Sequence, residues 1–240
     1  MIIPGGAFRR LVYNFEGEDV AKWLNSMGIA AFVLECRLPS DEHDNAEDVP
    51  LIDAMRAMRV IRGRAQEFGI DEAKIGVMGF SAGGFMAALL STAYESDVYA
   101  DYKYKDEYDK LSARPDFAVC SYPVISIDDC IEAGKRYMSE EQVLERISDS
   151  KAKILHKYNP DKLVRPDMPP VFICETDDDR TTLSENSVGF YMAARKAGVS
   201  AELHIFRTGG HGYGCGDDFA QTGEWKVLFT KWIKSIGIIS

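Results

Sequence analysis

The chain has 240 residues, of which 46% are hydrophobic, and a formal net charge of -10 at pH 7. This size and composition favour a single globular domain over residues 1–240 that buries a catalytic pocket. The negative charge argues against nucleic acid and anionic membranes as partners, because both would be repelled over most of the surface. No apolar run approaches the roughly 20 residues of a membrane span, and the amino terminus lacks a signal-peptide pattern, so we expect a cytoplasmic protein.

Short apolar runs alternate with longer helical patterns along the chain. Strands are predicted at 1–4, 29–35, 74–79, 117–122, 171–175 and 202–206. Helices are predicted at 16–27, 49–68, 84–92, 184–197 and 224–236. This alternation implies right-handed crossovers and the α/β class, with a mostly parallel, doubly wound sheet of about six strands. Active sites in such sheets lie beyond the carboxyl ends of the strands.

Two segments, 91–115 and 128–170, interrupt this alternation. The first is rich in Tyr, Asp and Lys, and the second contains an acidic helical stretch at 139–149. Both follow strands on the side where the chemistry is expected, so they are candidates for a cap or a pocket wall. Solvated surface helices and a long loop are the alternative interpretation.

The cysteines give a second indication of the compartment. Their number is odd, and Cys36, Cys120 and Cys174 fall within or at the ends of predicted buried strands, while Cys130 and Cys215 lie elsewhere. We therefore expect free thiols packed in the core of a protein from a reducing compartment, rather than a structural disulfide.

Residues 74–84, KIGVMGFSAGG, are the most informative stretch of the chain. A short apolar run leads into Gly79-Phe80-Ser81-Ala82-Gly83 and then into the helix-forming sequence FMAALL. This order of strand, sharp turn and helix is typical of a nucleophile elbow with Ser81 at its apex. Glycines on both sides fit a turn that leaves no room for side chains where strand and helix meet. An ordinary Gly-Ser loop is the alternative.

A serine hydroxyl needs a base to take its proton, and the chain offers four histidines. His43 lies in an acidic loop, His156 in a lysine-flanked amphipathic stretch, and His204 inside a strand pattern. His211 differs, because it lies in the glycine-rich loop TGGHGYG directly after the last predicted strand. We therefore predict that His211 is the base, against the alternative of a loop histidine without a catalytic task.

The acid that orients the base is expected between the serine and the histidine in the chain, at the end of the preceding strand. Asp177, Asp178 and Asp179 follow the run VFICET at that point, and spacing alone does not choose among them. Three adjacent carboxylates also occur in divalent cation sites. Neither an Asp-x-Asp-x-Asp-Gly loop nor a His pair accompanies them, so we expect no metal.

The developing oxyanion needs backbone donors. One is expected from the N–H of Ala82, after the nucleophile, and the other from the loop after an earlier strand. Residues 4–7, Pro-Gly-Gly-Ala, follow the first predicted strand, and their glycines allow main-chain amides to point into a cavity. The alternative is a plain turn. Phe8, Tyr122 and Tyr213 are candidate pocket aromatics, with packing in the core or rim as the alternative.

Six runs in chain order carry a resemblance to a known family: PGGAF, CRLP, IDEAKIGVMGFSAGG, SYPVIS, ETDDDRTTLSENS and ELHIFRTGGHGYG. Together they resemble the carbohydrate acetyl esterase and feruloyl esterase branch of the α/β-hydrolases, which is related to hormone-sensitive lipase and prolyl oligopeptidase. The resemblance covers nearly the whole chain. In that family the acid is the Asp of a D-x-x-V element shortly before an E-N-S helix start. The functional positions that the resemblance implies here are nucleophile Ser81, base His211, acid Asp179 with Asp178 as its companion, and oxyanion amides of Gly6 or Ala7 together with Ala82.

The resemblance implies a serine carboxylic ester hydrolase that needs no cofactor. Its expected substrates carry short acyl groups, above all acetyl, on a sugar or a xylo-oligosaccharide, or are small synthetic esters. Two alternatives stay open. One is a serine peptidase of the prolyl oligopeptidase type, and the other is a catalytically silent α/β-hydrolase that binds a ligand.

Three departures from the family pattern are visible. Ala7 replaces the third oxyanion glycine, and Thr182 replaces the Val of the D-x-x-V element. The chain also begins almost at the Pro-Gly-Gly strand, before which the relatives usually carry two further strands. Either the domain works with about six strands, or the sequence lacks its natural front end. We expect an exposed sheet edge, which a second subunit would cover in a homodimer.

Overall fold

The computed structural model describes residues 1–39, 43–100, 102, 105–148, 153–216 and 222–239. The strands are β1 (Ile2–Ile3), β2 (Val77–Phe80), β3 (Ala118–Ser121), β4 (Val171–Thr176) and β5 (Ala201–Phe206). The helices are α1 (Asp19–Ser26), α2 (Val49–Gly63), α3 (Ala65–Phe68), α4 (Ala82–Ala93), α5 (Ile127–Tyr137), α6 (Glu140–Ser148), α7 (Lys153–Lys157), α8 (Ser184–Lys196) and α9 (Glu224–Ser235). No helix in these described ranges is long and apolar enough to cross a bilayer.

The five strands form one parallel sheet in the order β1-β2-β3-β4-β5, which confirms the predicted class. From β1 the chain passes to segment 29–35 on the outer side of β1, and it then returns to β2 on the other side. The strand order therefore reverses at β1. Such a switch point brings the loop after β1 next to the loop after β2, where ligands bind in open α/β sheets.

The structure differs from the predicted six strands at segment 29–35. This segment makes a single parallel bridge, between Val33 and Ile2, flanked by two backbone hydrogen bonds of Ile2. Its only neighbour among the described strands is β1, which ends at Ile3. The next residue, Pro4, has no N–H to continue the ladder. Five strands and one bridge therefore replace the predicted six strands.

Helices cover both faces of the sheet. One face packs against α2, α4 and α8, through side chains that include Leu51, Met55, Met58, Phe85 and Phe190. The other face packs against α1 and α9, through side chains that include Val20, Leu24, Trp225, Phe229 and Trp232. All five cysteines are buried free thiols. Burial on both faces explains why β2, β3 and β4 read as continuous apolar runs.

Two predicted helices differ from the observed ones. The predicted helix 49–68 is divided at Arg64, whose φ of -106° and ψ of 16° separate α2 from α3. The predicted helix 16–27 begins earlier, as a π-helical turn at Asn14–Glu18 that continues into α1. This turn buries Glu16, which is only 3% exposed. Such π-turns occur often at functional sites.

The two segments that interrupt the alternation take different positions. The described part of 91–115 packs on α2, where the guanidinium of Arg59 lies 4.1 Å from the ring centre of Tyr99. The described part of 128–170 contains most of α5 together with α6 and α7. Residues 101, 103, 104 and 149–152 of these segments lie outside the described residues.

Candidate active site

The turn after β2 has the backbone strain expected of a nucleophile elbow. Ser81 lies between β2 and α4 with φ 53° and ψ -118°, a region that non-glycine residues rarely occupy. A Cβ on Gly79 would overlap the carbonyl oxygen of Gly83, and a Cβ on Gly83 would overlap the carbonyl oxygen of Ile3. Close backbone approach therefore requires both glycines of the motif.

His211 contacts Ser81 with one ring nitrogen and Asp179 with the other. Its Nε2 lies 2.9 Å from the Ser81 Oγ, and its Nδ1 lies 2.7 Å from the Asp179 Oδ2. An ionised carboxylate only accepts hydrogen bonds, so Nδ1 carries the proton and Nε2 presents its lone pair to the serine hydroxyl. The structure thus brings together three side chains that are distant in the sequence.

The Asp179 carboxylate is buried and held by several donors. Its Oδ1 accepts the backbone N–H of Thr181 at 2.7 Å and that of Thr182 at 3.0 Å, and its Oδ2 lies 3.0 Å from the Thr182 hydroxyl. Burial acts to raise the pKa of Asp179, but the hydrogen bond and charge of His211 and the backbone donors outweigh it, so the pKa lies below its usual value. This carboxylate is therefore ionised at neutral pH.

The neighbouring Asp178 has a different task. Its Oδ1 accepts the N–H groups of Gly209 at 2.9 Å and Gly210 at 2.8 Å, so it fixes the loop that leads to His211. Geometry therefore separates the two carboxylates, because only that of Asp179 contacts the imidazole. Within the described ranges, no group of three or more His, Cys, Asp or Glu side chains is arranged to hold a metal ion.

Three successive residues of the loop after β1 have positive φ, and two of them are not glycine. Gly6, Ala7 and Phe8 have φ values of 130°, 55° and 57°. Ala7 lines the same cavity as Ser81 and Ala82. The N–H of Ala82 belongs to the first turn of α4, where the helix itself offers no acceptor. The structure thus brings the two predicted amide sources, the loop after β1 and the start of α4, to one cavity.

A cavity of about 580 Å³ lies beside Ser81. Its apolar lining consists of Ala7, Phe8, Ala82, Val124, Ile127, Cys130, Met138, Ile147 and Leu155. Its polar lining, apart from Ser81, consists of Arg9, Gln142, Glu145 and Thr181. Segment 128–170 supplies one side of the cavity through α5, α6 and α7, whereas no described residue of 91–115 lines it.

The three predicted pocket aromatics separate into two groups. Phe8 lines the cavity and packs edge-on against Phe85 at 5.8 Å between ring centres. Tyr122 is fully buried and lies behind the base, with its ring centre 5.1 Å from that of His211 and 4.5 Å from that of Tyr213. Tyr122 and Tyr213 therefore support the site from the core instead of facing the cavity, which corrects their prediction as pocket residues.

Sequence reasoning missed the buried carboxylate of Glu16. Its Oε2 accepts the N–H of Gly5 at 2.7 Å, and its Oε1 accepts the Tyr122 hydroxyl at 2.9 Å. Burial raises the pKa of Glu16, while these two hydrogen bonds and the charge of His211 oppose the rise. The local sequence NFEGED looks like the acidic first turn of an exposed helix, so it gave no signal of burial.

Glu175, near the end of β4, is a second buried carboxyl group that the sequence did not reveal. It is 0% exposed, and its Oε2 accepts the Ser187 hydroxyl at 3.3 Å. Burial and the nearby negative charge of Asp179 raise the pKa of Glu175 well above its usual value. A carboxyl group whose burial favours its protonated form therefore lies next to the carboxylate that contacts the imidazole.

Comparison with known proteins gives one family and one fold. Residues 1–193 match the family described as BD-FAE. The chain is 31% identical over 236 residues, 98% of its length, to an acetylxylan esterase from Xylanibacter ruminicola. It covers 45% of that relative, so it spans less than half the length of the curated protein it matches.

Solved structures share the architecture. An acetyl ester-xyloside bifunctional hydrolase from Caldicellulosiruptor lactoaceticus superimposes with a TM-score of 0.80 at 38% identity, covering 100% of this chain and 84% of that one. A carboxylesterase from Lactobacillus plantarum gives a TM-score of 0.81 at 22% identity, covering 100% and 86%, which is a likeness of fold. Together with the parallel sheet and the elbow, these matches establish that the chain has the α/β-hydrolase fold and belongs to the BD-FAE family.

Proposed function

We propose that this chain is a serine carboxylic ester hydrolase that removes acetyl groups from sugars or xylo-oligosaccharides. Its nucleophile is Ser81, its base is His211, and its acid is Asp179. The observation that carries the proposal is the 2.9 Å contact between the His211 Nε2 and the Ser81 Oγ, with the opposite ring nitrogen held by a buried carboxylate. The family membership and an acetylxylan esterase relative support the same reaction.

The first half of the reaction forms an acyl-enzyme. His211 Nε2 takes the hydroxyl proton of Ser81 while the serine oxygen attacks the ester carbonyl carbon. Asp179 holds the imidazole in the required tautomer and stabilises the imidazolium that forms. The tetrahedral intermediate then collapses, the bond to the alcohol oxygen breaks, and His211 returns the proton to the departing sugar hydroxyl.

The second half releases the acid. Water replaces the alcohol, gives a proton to His211 as it attacks the acyl carbon, and the proton then returns to the serine oxygen as the acyl bond breaks. In both halves we assign the oxyanion to the backbone N–H groups of Ala82 and of Gly6 or Ala7. The amino-terminal end of α4 adds a favourable dipole for that negative charge.

We assign the wall formed by segment 128–170 to recognition of the alcohol portion. Gln142 and Glu145 are the polar residues of this wall, and the apolar Phe8 and Ile127 line the same cavity. Hydroxyl-rich ligands need such hydrogen-bonding groups, whereas a small acyl group needs only apolar space. An acetyl ester-xyloside hydrolase among the structural neighbours supports a sugar in this position.

The main experiment is hydrolysis of p-nitrophenyl acetate by the wild type and by Ser81→Ala. The variant is expected to lose at least about 10³-fold in kcat, because the nucleophile is gone. Ser26→Ala, at an exposed serine in α1, is the matched control and is expected to retain wild-type activity. Activity that persists in the Ser81 variant at the wild-type level would refute the mechanism.

A second experiment tests the assignment of the wall. Glu145→Ala is expected to lower kcat/KM for acetylated xylo-oligosaccharides about 5-fold, on the order of one hydrogen bond, and to leave p-nitrophenyl acetate unaffected. Leu144→Ala is the control, because this side chain on the same helix is 55% exposed and does not line the cavity. Equal losses on both substrates would contradict a role in sugar recognition.

The compartment and the quaternary state stay predictions. Five buried free thiols support a reducing, cytoplasmic location. Segment 29–35 pairs with the sheet through one bridge, which supports an edge that a second subunit covers. Light scattering at working concentration measures the quaternary state, and a monodisperse monomer would contradict the dimer.

A further inference from the structure

A chain of hydrogen bonds beneath the cavity joins three loops of the site. Glu16 accepts the N–H of Gly5 at 2.7 Å and the hydroxyl of Tyr122 at 2.9 Å. The same hydroxyl accepts the N–H of Gly214 at 3.0 Å. Gly5 opens the loop after β1, Tyr122 follows β3, and Gly214 lies three residues after His211. Two buried side chains, those of Glu16 and Tyr122, therefore connect the loop after β1, the end of β3 and the loop that carries His211.

The direction of these bonds identifies what each group does. The Tyr122 oxygen accepts from Gly214, so its one hydrogen is directed to Glu16. The other oxygen of Glu16 accepts from an amide. Two donors thus converge on one carboxyl group from opposite sides. Such an arrangement needs an acceptor at both oxygens, which a carboxylate provides and an amide side chain does not.

The loop that Glu16 holds is strained. Ala7 and Phe8 both have positive φ, and Tyr122 itself has φ 37°. Each such non-glycine residue costs about 1–3 kcal/mol and persists only where surrounding contacts determine it. The backbone of Gly5 is held on both sides of its Cα atom, since its N–H bonds to Glu16 and its carbonyl accepts the N–H of Val12 at 2.9 Å. Glu16 is therefore placed to maintain this conformation.

We propose that Glu16 is a positioning residue for the reaction, which orients the loop amides that receive the oxyanion and the loop that carries His211. Glu16 does not line the cavity, so it acts through Gly5 and Tyr122 and not on the substrate. This inference rests on the proposed function for its catalytic consequence. Its structural part, the orientation of two backbone amides, is measurable without any substrate.

The decisive variant is Glu16→Gln. The amide keeps the shape of the side chain but turns an NH2 group toward either the Gly5 N–H or the Tyr122 hydroxyl, so one donor loses its acceptor. We expect kcat for p-nitrophenyl acetate to fall about 10- to 100-fold, with KM within about 2-fold of the wild type, because the oxyanion is stabilised only in the transition state. Binding of a trifluoromethyl ketone, which forms a tetrahedral adduct on the serine, is expected to weaken by the same factor as kcat.

Glu18→Gln is the matched control. It removes a carboxylate from the same π-helical turn, but at a side chain that is 54% exposed and paired with Lys22 at 3.7 Å. We expect its kcat and its affinity for the ketone to equal those of the wild type. A loss as large as that of the Glu16 variant would mean that the charge or stability of this turn, and not the buried contacts, is responsible.

The readout without substrate is amide hydrogen exchange. In Glu16→Gln the amides of Gly5 and Gly214 are expected to exchange at least about 10-fold faster, while the β3 and β4 amides keep their protection. Wild-type exchange at both glycines would overturn the inference whether or not the chain hydrolyses esters. Faster exchange in Glu16→Gln with unchanged kcat and unchanged ketone affinity would show that Glu16 has a structural role only, and would also overturn the inference. Wild-type activity in Ser81→Ala would refute only the proposed function.

Discussion

The elbow and the cavity wall are held together in different ways. At the elbow, the space next to Gly79 and Gly83 is filled by backbone atoms of neighbouring elements. In the wall, a Cβ on Gly134 of α5 would meet a methyl group of the Val143 side chain of α6 at 2.7 Å. Backbone contacts cannot move without moving strands, but a side chain changes rotamer at low cost.

From this difference we expect the elbow to determine the chemistry and the wall to determine the selectivity for the alcohol. The turn at Ser81 is shaped by main-chain contacts that leave no space for a side chain at Gly79 or Gly83, while the wall is built of helices with exposed apolar side chains such as Tyr137, Met138 and Leu144. We expect substitutions in the wall to change which alcohol is accepted without disturbing Ser81, and we expect substitutions at the elbow to destabilise the fold before they change selectivity.

The largest expected effect comes from Gly83→Ala. Its Cβ would overlap the Ile3 carbonyl, so we expect a loss of about 3 kcal/mol or more in the free energy of unfolding and a fall in Tm of about 6–12 °C. Gly134→Ala is the matched change in the wall. There the neighbour is a side chain and alanine favours a helix, so the expected change is within about 1 kcal/mol. Similar losses in the two variants, measured by thermal unfolding, would remove the distinction.

A smaller effect is expected from Thr182→Val, which restores the residue of the family pattern. The variant removes a hydroxyl that lies 3.0 Å from the Asp179 Oδ2 and 3.2 Å from the His211 Nδ1. The backbone N–H of residue 182 still holds the carboxylate, so kcat for p-nitrophenyl acetate is expected to fall about 3- to 10-fold, near 1 kcal/mol. Thr182→Ser keeps the hydroxyl and is expected to stay within about 2-fold of the wild type. A valine variant as fast as the wild type would show that the hydroxyl contributes nothing.

The smallest effect concerns stability and pH at Glu175. Because the pKa of this carboxyl is raised in the folded protein, the folded state holds its proton at pH values where the unfolded chain has released it. Stability from this group is therefore complete below the ordinary value near 4.5 and is lost as the pH rises above it. The Glu175→Gln side chain cannot ionise, so the difference in Tm between this variant and the wild type is expected to shift in favour of the variant as the pH rises from about 5 to 8. The expected shift is about 2–4 °C, which corresponds to about 1 kcal/mol in the free energy of unfolding. A difference in Tm that is independent of pH would contradict the raised pKa.

Much of the fold followed from local patterns. Buried parallel strands read as short apolar runs, so β2, β3, β4 and β5 were predicted near their observed bounds. The prediction of a strand at 29–35 was wrong because a strand needs a neighbour long enough to pair with. Its neighbour β1 has only two residues. The division of helix 49–68 at Arg64 had a signal that the prediction did not use, because Gly63 ends α2 immediately before the break.

The side chains that we propose as the reacting groups could be picked out from the sequence because each stands in a loop of special composition after a strand. Ser81 lies between glycines, and His211 lies in a glycine-rich loop. Choosing Asp179 needed the family resemblance, since adjacent aspartates on one loop differ only in where their side chains point, which the sequence does not show. The hydrogen bond between Glu16 and Tyr122 joins residues that are 106 positions apart in the chain, so no local sequence pattern predicts it.

The Trp225 indole offers a spectroscopic probe of the loop that carries His211. Its N–H donates to the carbonyl of Gly214 at 3.1 Å, and the ring is fully buried against Phe80 and Phe229. Indole emission depends on such hydrogen bonds and on the polarity around the ring, so displacement of the loop that carries His211 will change the intrinsic fluorescence. A change in the position of this loop is therefore expected to be detectable by fluorescence, in the native chain and without an added dye.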